Sequence, residues 1–367
     1  MIQVIEVQKE NLGDFIKLPF ILYSKDPNFI PQLNREMQMH FSDKNPFFRH
    51  AGAKYYIALK EGKISGRIIS FVNRRHNEFQ NERTGFFGFF DCINDISVAD
   101  ALFEKAAGYL KKEGMEIMRG PMNFSTNEEC GFLIEGFSEP PMLMTPYNPF
   151  YYNNLSVECG MKKIKDLYAY IYETQNELPE KIKRVAAITD KKGITVRPIN
   201  MNNFMSEMMI FKEVYNSAWH KNWGFIPMTD EELIYAGKRL KQIIVPDLTL
   251  IAEKGKEPIG FLGMVPDFNL VLKKMNGKLN PASVAKALYY SRKIRDLRLM
   301  LLGIKKEYRN TGIEALLFRE GFKPIKKGRY KRVEFSWILE DNIPVQRIIE
   351  MVGGRLYKKY RIYEKAI

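Results

Sequence analysis

The chain has 367 residues, with 57 Lys and Arg against 43 Asp and Glu, which gives a formal net charge of +14. Its length suits two domains, and 45% hydrophobic and 27% charged residues are typical of a globular protein. Apolar runs fall short of the roughly 20 residues that cross a bilayer, the N-terminus lacks signal-peptide features, and the cysteines and histidines lack metal-ligand spacing. We therefore expect a cytoplasmic protein with no transmembrane segment and no metal.

The positive charge is concentrated in the last quarter of the chain. Residues 271–367 contain 24 Lys and Arg against 9 Asp and Glu, and the remaining residues are nearly neutral. A solvated basic face is one explanation of such a run. The other is attraction of an anionic partner such as CoA, RNA or an acidic surface.

The first half of the chain predicts alternating strands and helices. Alternating apolar residues on both sides of Glu61-Gly62 indicate a β-hairpin, and the apolar spacing before Gly114 indicates a helix. The predicted elements are strand Ile2–Val7, helix Leu12–Leu22, strands Ala53–Leu59, Lys63–Asn73 and Thr84–Cys92, helix Val98–Lys112, strand Met115–Arg119, a helix opened by Asn148-Pro149, and strand Lys165–Glu173.

The second half repeats this plan after a linker helix. Both halves end in a helix opened by Asn and Pro, a glycine and an aromatic strand, which indicates an internal duplication. We predict domains at 1–175 and 194–367, joined by a linker at 176–193. The predicted elements are helix Pro179–Lys191, strand Ile194–Ile199, helices Asn202–Trp219 and Asp230–Ile244, strands Leu248–Ala252 and Ile259–Pro266, a lysine-rich connection, strand Leu297–Ile304, a helix after Gly312, strand Arg332–Ile338, a helix opened by Asn342-Ile-Pro344, and a Tyr-rich final strand.

A glycine-bearing turn joins the strand and the helix around Gly312, in the stretch Ile304-Lys-Lys-Glu-Tyr-Arg-Asn-Thr-Gly-Ile-Glu-Ala-Leu-Leu. The first amides of a helix have no partner inside it, so such a turn can bind an anion. The stretch resembles the acyl-CoA pyrophosphate loop of the GNAT N-acetyltransferase superfamily, Q/R-x-x-G-x-G/A. Arg309 and Gly312 match this pattern, and Glu314 stands in place of its second glycine.

A second resemblance covers most of residues 20–170. The run FGFF…GPMNFSTNEECGFL…PYNPFYY is similar to an uncharacterised bacterial family of GNAT-like proteins. Two GNAT-like halves in one chain also occur in N-myristoyltransferases and Fem-type transferases. The resemblance implies an α/β fold of two GNAT-like domains in tandem, each with a central, mixed, mostly antiparallel sheet flanked by helices.

The same resemblance implies a site for acetyl-CoA or another acyl-CoA in the second half. Glu334, on a predicted strand, is a candidate general base if its side chain faces the cleft. The tyrosine that often serves GNAT enzymes as general acid is replaced by Ile349. The residues expected to bind the cofactor are Ile304, Arg309, Asn310, Thr311, Gly312, Ile313 and Asn342.

The first half offers a different candidate site. Its turn Asp91–Ser97 has no glycine and two aspartates, so a pyrophosphate is not expected there. A polar loop follows the strand Met115–Arg119, and its adjacent carboxylates could bind an amine or act as a base. We predict Glu128 as a second catalytic candidate and Thr126, Asn127 and Glu129 as substrate-binding residues. The alternative is that these side chains only satisfy the backbone of the turn.

Together these features predict an acyltransferase that moves an acyl group from acyl-CoA to a small-molecule or peptide amine. Two alternatives remain open at this stage. A Fem-like transferase that uses aminoacyl-tRNA would explain the basic residues 271–367 as an RNA surface. A degenerate, non-enzymatic binding module would explain the missing general acid.

Overall fold

The computed structural model describes residues 1–367, which form two compact units. The first unit comprises Met1–Leu167, Asn269–Arg292 and Lys358–Ile367, and the second comprises Tyr168–Phe268 and Lys293–Tyr357. Two segments that follow the first half in sequence therefore belong to the first unit. The predicted division into 1–175, 176–193 and 194–367 concerns duplicated halves of the sequence and stays a prediction.

Thirteen strands and twelve helices make up the regular structure. In chain order they are β1 Ile2–Val7, α1 Gly13–Leu22, α2 Asn34–Phe41, β2 Ala51–Lys60, β3 Lys63–Asn73, α3 Arg74–Gln80, β4 Thr84–Cys92, α4 Ile96–Lys112, β5 Ile117–Gly120, β6 Phe132–Glu135, α5 Tyr151–Glu158, β7 Lys162–Glu173, α6 Glu180–Asp190, β8 Ile194–Pro198, α7 Phe204–Trp219, α8 Asp230–Leu240, β9 Thr249–Lys254, β10 Glu257–Pro266, α9 Asn269–Met275, α10 Pro281–Ser291, β11 Asp296–Ile304, α11 Ile313–Phe322, β12 Arg332–Leu339, α12 Ile343–Met351 and β13 Arg355–Ala366.

The first unit is built on strands in the order β1-β2-β3-β4-β5-β13. The pairs from β1 to β4 are antiparallel, β4 and β5 are parallel, and β5 is antiparallel to the last residues of β13. Helix α4 connects the two parallel strands and buries Leu102, Phe103 and Leu110 against the sheet. The regularly spaced apolar residues that predict this helix therefore form the side that faces the core.

The second unit repeats the same pairing pattern in β8-β9-β10-β11-β12. The pairs from β8 to β11 are antiparallel, and β11 and β12 are parallel with α11 between them in the chain. Helix α11 buries Leu316, Leu317 and Phe318 in a core that it shares with α6 and the sheet. The repeated pattern is the structural form of the predicted duplication.

Most predicted elements are present with small shifts at their ends, and strands Ile2–Val7 and Thr84–Cys92 have the predicted bounds. Thr229 caps α8 through a full capping box with Glu232. The lysine-rich connection predicted before β11 is present, but it contains two helices that the sequence patterns did not indicate, α9 and α10. The sequence analysis also missed α2, α3 and β6.

A charged network fixes the turn between α3 and β4 in the first unit. The Glu82 carboxylate accepts hydrogen bonds from Thr84 Oγ1 at 3.0 Å and Arg119 Nη1 at 2.9 Å, and lies 3.4 Å from His76 Nε2. Hydrogen bonding from His76, together with the charge of Arg119, lowers the pKa of Glu82 to about 2. Arg119 is buried and also binds Glu364 of β13, so the network joins the two ends of this unit's sequence.

We expect Glu82→Gln to lower the free energy of unfolding at neutral pH by about 1–2 kcal/mol, allowing for solvent screening. A carboxyl whose pKa is depressed in the folded state stabilises it above the unfolded pKa of about 4.3. The difference between variant and wild type should therefore shrink as the pH falls from about 4.3 through about 2. Urea unfolding across this pH range measures the difference in the free energy of unfolding.

Glu116→Gln is the matched control, because Glu116 pairs with Arg83 on the surface, where both side chains are about two-thirds exposed or more. Such pairs contribute little, so this variant should unfold like wild type. Equal stability of Glu82→Gln and wild type at neutral pH would contradict the assignment.

Candidate functional site

The predicted pyrophosphate loop is a turn between β11 and α11 in the second unit. Asn310 has φ 60°, and Gly312 occupies the N-cap of α11 with φ 94°. A Cβ on Gly312 would lie 2.4 Å from Thr189 Oγ1 of α6, so glycine is required both by the backbone and by the packing. Ile304 and Ile313 point into the core, and each can offer only its backbone to a ligand.

Arg309 is held at the outer side of this turn. Its Nη2 donates a 2.5 Å hydrogen bond to the carbonyl of Ala218, in the last turn of α7. A cation at a helix C-terminus is favourable because the last carbonyls carry partial negative charge. Thr311 Oγ1 donates to Tyr308 O at 2.6 Å, and its own carbonyl accepts from Lys192 Nζ at 3.2 Å. The loop is therefore a formed turn with two cations beside it.

Glu314 lies in the first turn of α11, and its own backbone N–H donates to its carboxylate. The half-buried side chain thus supplies an acceptor at the helix N-terminus, where an anionic ligand would bind. Burial raises the pKa of Glu314 above its ordinary value, although the hydrogen bond and the charge of Arg309 oppose this shift. This carboxylate would compete with a pyrophosphate for the same partially positive amides.

A buried polar cluster lies where β11 and β12 part. Their parallel pairing ends at Leu299 and Phe335, and an extra residue in β11, Met300, forms a bulge against β10. Next to this point Glu334 is completely buried. Its carboxylate accepts hydrogen bonds from Ser336 Oγ at 2.5 Å and from the Tyr357 hydroxyl.

Arg298 completes this cluster. Its Nε donates to Ser336 Oγ at 2.8 Å and lies 3.8 Å from Glu334 Oε1, and its guanidinium lies over the Trp337 ring. A buried carboxylate beside a buried guanidinium is expected, because either charge alone would be costly. Tyr357 lies in the predicted Tyr-rich final strand, but no sequence pattern indicates that its hydroxyl contacts Glu334.

Asn342 stands at the N-cap of α12 without a side-chain capping hydrogen bond. Its side chain is therefore not needed to close this helix. Ile349, which stands where GNAT enzymes often have a tyrosine, is buried in the core of the second unit. If a tyrosine acts in this unit, Tyr357 is the one that the geometry supplies.

In the first unit, the N-terminus of α4 and the bulge of β4 correspond to these features, and both are occupied by other residues of the chain. The Asp95 side chain caps α4 by accepting from the Ser97 and Val98 amides and also pairs with Lys60. The bulge of β4 falls at Phe89, whose N–H donates to Asn123 Oδ1 at 2.9 Å. A Cβ on Gly88 would meet Met122 O at 1.9 Å, so the loop 121–131 lies directly on this strand.

The polar loop of the first unit is anchored by Phe124, which is buried among aromatic rings and stacks on Phe47 at 4.6 Å. Thr126, Asn127 and Glu129 are half-buried, and the Glu129 carboxylate accepts from Asn123 Nδ2 at 3.1 Å. Glu128 Oε2 lies 3.3 Å from Nε2 of the buried His40. The sequence analysis did not single out His40, because the helix α2 that carries it was not predicted.

The two catalytic candidates therefore lie in different units, Glu128 in the first and Glu334 in the second. The residues from Ile304 to Ile313 are brought together with Gly312 at the start of α11, and Thr126, Asn127 and Glu129 accompany Glu128. No three His, Cys, Asp or Glu side chains form a group that could hold a metal ion. None of the helices combines the length and the apolar composition needed to cross a membrane.

Many cations of residues 271–367 are bound to groups of their own unit. Lys305 contacts Glu213 and Glu257, and Arg361 forms a two-pronged pair with Asp166. Further pairs join Arg319 with Asp190, Arg332 with Asp296, Lys326 with Glu177, Lys359 with Glu135, and Lys365 with Glu104. These pairs hold part of the positive charge of residues 271–367 against carboxylates of the same unit, where it is less available to a polyanion.

Two named relatives match the chain along almost its whole length. Protein YghO of Escherichia coli strain K12 is 36% identical over 98% of this chain and 94% of its own. The bacterial ceramide synthase of Caulobacter vibrioides is 34% identical over 97% of this chain and 95% of its own. No family model matches the sequence.

Solved structures share the fold at low sequence identity. A tandem GNAT protein from the clavulanic acid biosynthesis pathway superposes with a TM-score of 0.59 at 10% identity, covering 100% of this chain and 98% of that one. A GCN5-related N-acetyltransferase from Sphaerobacter thermophilus gives 0.54 at 12% identity, covering 100% and 95%. The chain therefore has a tandem GNAT fold, as its sequence predicts.

The position of Glu314 has a consequence for stability. A carboxyl whose pKa is raised in the folded state penalises folding once it ionises, so the penalty grows as the pH rises above the unfolded pKa of about 4.3. We expect Glu314→Gln to stabilise the protein at neutral pH and to leave it unchanged at pH 4 or below. Thermal unfolding at several pH values measures the difference, with the exposed Glu307→Gln as control. A destabilised Glu314→Gln at neutral pH would show that its charge is favourable there.

Proposed function

Because the chain belongs to the family of YghO and the bacterial ceramide synthase, we propose that it is an N-acyltransferase that moves an acyl group from acyl-CoA to an amine. A ceramide is the amide of a fatty acid and a long-chain amino alcohol, so the relative's name describes amide formation from an acyl donor. We therefore propose a long-chain amino alcohol as the acceptor and a fatty acyl-CoA, rather than acetyl-CoA, as the donor.

The observation that carries this proposal is the glycine turn at the N-terminus of α11, which follows the strand β11 whose pairing with β12 ends at Leu299. The amides from Asn310 to Ile313 and the Arg309 guanidinium would hold the pyrophosphate of CoA. The N-cap of the equivalent helix in the first unit is already taken by Asp95. The second unit is therefore the one that we propose for donor binding. Asn342, at the N-cap of α12, is a further proposed contact.

In the reaction the amine nitrogen forms a bond to the thioester carbon, the C–S bond breaks, and the amine loses one proton while the thiolate gains one. Glu334 is the proposed base for this unit. Because it is completely buried, it would act through the half-buried Tyr357, whose hydroxyl donates to it. Tyr357 would pass the amine's proton to Glu334 and later protonate the thiolate. Arg298 places a positive charge beside this carboxylate, with Nε 3.8 Å from Glu334 Oε1.

The polar loop of the first unit is the second place proposed for the chemistry. Glu128 is about one-third exposed and orients the buried His40, and such a pair is suited to accept a proton. Thr126, Asn127 and Glu129 would bind the amine there.

We propose a cytoplasmic location, because a CoA donor is found there and because the three cysteines are free and buried. Since many cations of residues 271–367 are paired, CoA is preferred to an RNA-borne donor.

The test is acyl transfer from palmitoyl-CoA to sphinganine, followed by mass spectrometry of the amide. Tyr357→Phe should lower kcat by about 100-fold, in the range for loss of a general acid or base. Glu334→Gln should do the same, but it removes the negative charge beside the buried Arg298, so its folding must be verified by thermal unfolding. Tyr363→Phe is the control, since it also removes a hydroxyl hydrogen bond from β13, to Asn153.

The variant Glu128→Gln distinguishes between the two candidate sites, one around Glu334 and one around Glu128. Retained activity in this variant supports Glu334 and Tyr357, whereas a loss in Glu128→Gln with retained activity in Tyr357→Phe would move the chemistry to the first unit. No product with any long-chain acyl-CoA and amine, together with measurable CoA binding, would indicate a binding module instead.

Donor binding at the Gly312 turn is tested by calorimetric titration with acyl-CoA. Removal of a like charge beside the pyrophosphate should strengthen binding, so Glu314→Gln should lower Kd by about tenfold. Arg309→Ala in the same background should reverse this gain. The exposed Glu307→Gln is again the control. Equal affinity in all four proteins would place the donor elsewhere.

A further inference from the structure

Helix α10 has the reverse of the usual arrangement of side chains on a surface helix. Its buried residue is Ser283, which forms a capping box with Asn280. Val284, Leu288 and Tyr289 point outward and are 44%, 65% and 55% exposed. A helix normally turns its apolar stripe to the core. Here the apolar stripe faces away from the protein.

Two further apolar side chains near this helix are exposed. Leu279, which comes just before α10, is 52% exposed. Gly277 contacts the ring of Phe20 in α1, and the next residue of α1, Ile21, is 66% exposed. These side chains, with Val284, Leu288 and Tyr289, are called the α10 face below.

The α10 face is held firmly in the first unit. Asn269 Nδ2 donates to Pro141 O at 2.8 Å, and the Asn34 N–H donates to Gly277 O at 3.1 Å. Lys273 also donates to the Pro27 carbonyl. The outward direction of the apolar residues is therefore fixed by contacts at the base of the helix pair and is not a result of a loose segment.

The chain segment that carries α10 has charges of a single sign. Residues 269–295 contain seven Lys and Arg and no Asp or Glu. Lys278, Lys286 and Arg292 are exposed. In the second unit, by contrast, Lys305, Arg319 and Arg332 each pair with a carboxylate. A partner for this face must therefore offer both negative charge and an apolar layer.

We propose that the α10 face docks on the surface of a bilayer that contains anionic phospholipid, with the apolar side chains inserted at the level of the acyl chains. An interfacial helix combines exposed apolar side chains with Lys and Arg in this way. A nucleic acid would match the charge but not the aliphatic Val284 and Leu288, since it binds through phosphates and stacked rings. The docking does not depend on the acyl transfer proposed above.

The test is co-sedimentation of the full chain with vesicles of phosphatidylcholine alone and of phosphatidylcholine with an equal amount of phosphatidylglycerol. Binding is expected only to the anionic vesicles and should weaken with salt. Leu288→Glu should lower the partition coefficient by about tenfold, and Lys286→Glu by at least about fivefold. Both residues are exposed, so neither change alters the core.

Val157→Glu is the matched control, because Val157 is 58% exposed on α5, a helix of the same unit away from the basic segment. It should bind vesicles like wild type. Equal binding of Leu288→Glu and Val157→Glu would overturn the proposal. So would an absence of binding to anionic vesicles, a Leu288-dependent dimer in size-exclusion chromatography without vesicle binding, or tRNA binding that needs Lys286 but not Leu288.

Discussion

The amides at the start of α4 and α11 set the main constraint on both units. Each helix follows a strand that has a parallel neighbour, and its first N–H groups have no partner inside the helix. In the first unit the Asp95 carboxylate satisfies two of these groups and is itself paired with Lys60, so this end is closed. In the second unit Gly312 leaves the N-cap without a side chain, and Glu314 supplies a carboxylate from inside the helix. The two copies of one fold thus differ in whether a ligand can reach the helix end.

Sequence periodicity predicted the elements whose apolar residues face a core, including β4, α4 and β11. It failed for α9 and α10, because the apolar residues of α10 face outward and its segment is rich in lysine. The turn with Arg309 and Gly312 could be located from sequence because its residues are contiguous. Tyr357 lies 23 residues from Glu334 in the sequence, and His40 lies still farther from Glu128, so neither contact could be predicted from local patterns.

Charge in the sequence is a poor guide to charge on the surface of this protein. Arg298 and Lys305 count toward the basic last quarter, yet both are buried beside carboxylates. The short segment 269–295 stands apart because it has seven Lys and Arg and no acidic residue. The location of a cation in the fold, rather than its number in the chain, decides which partners it can attract.

Residues Lys358–Ile367 of β13 belong to the first unit, where they pair with β5 and β6. During synthesis on the ribosome, the strands of the first half would therefore remain without their partner β13 until the whole second unit has been translated. Their open sheet edge would meanwhile be exposed to other chains, which favours aggregation. Removal of Lys358–Ile367 would leave that edge permanently unpaired. A chain cut between the two sequence halves would have the same unpaired edge. The halves of this duplicated fold are thus tied together by topology, since the first unit cannot complete its sheet without a strand that the chain makes only after the second.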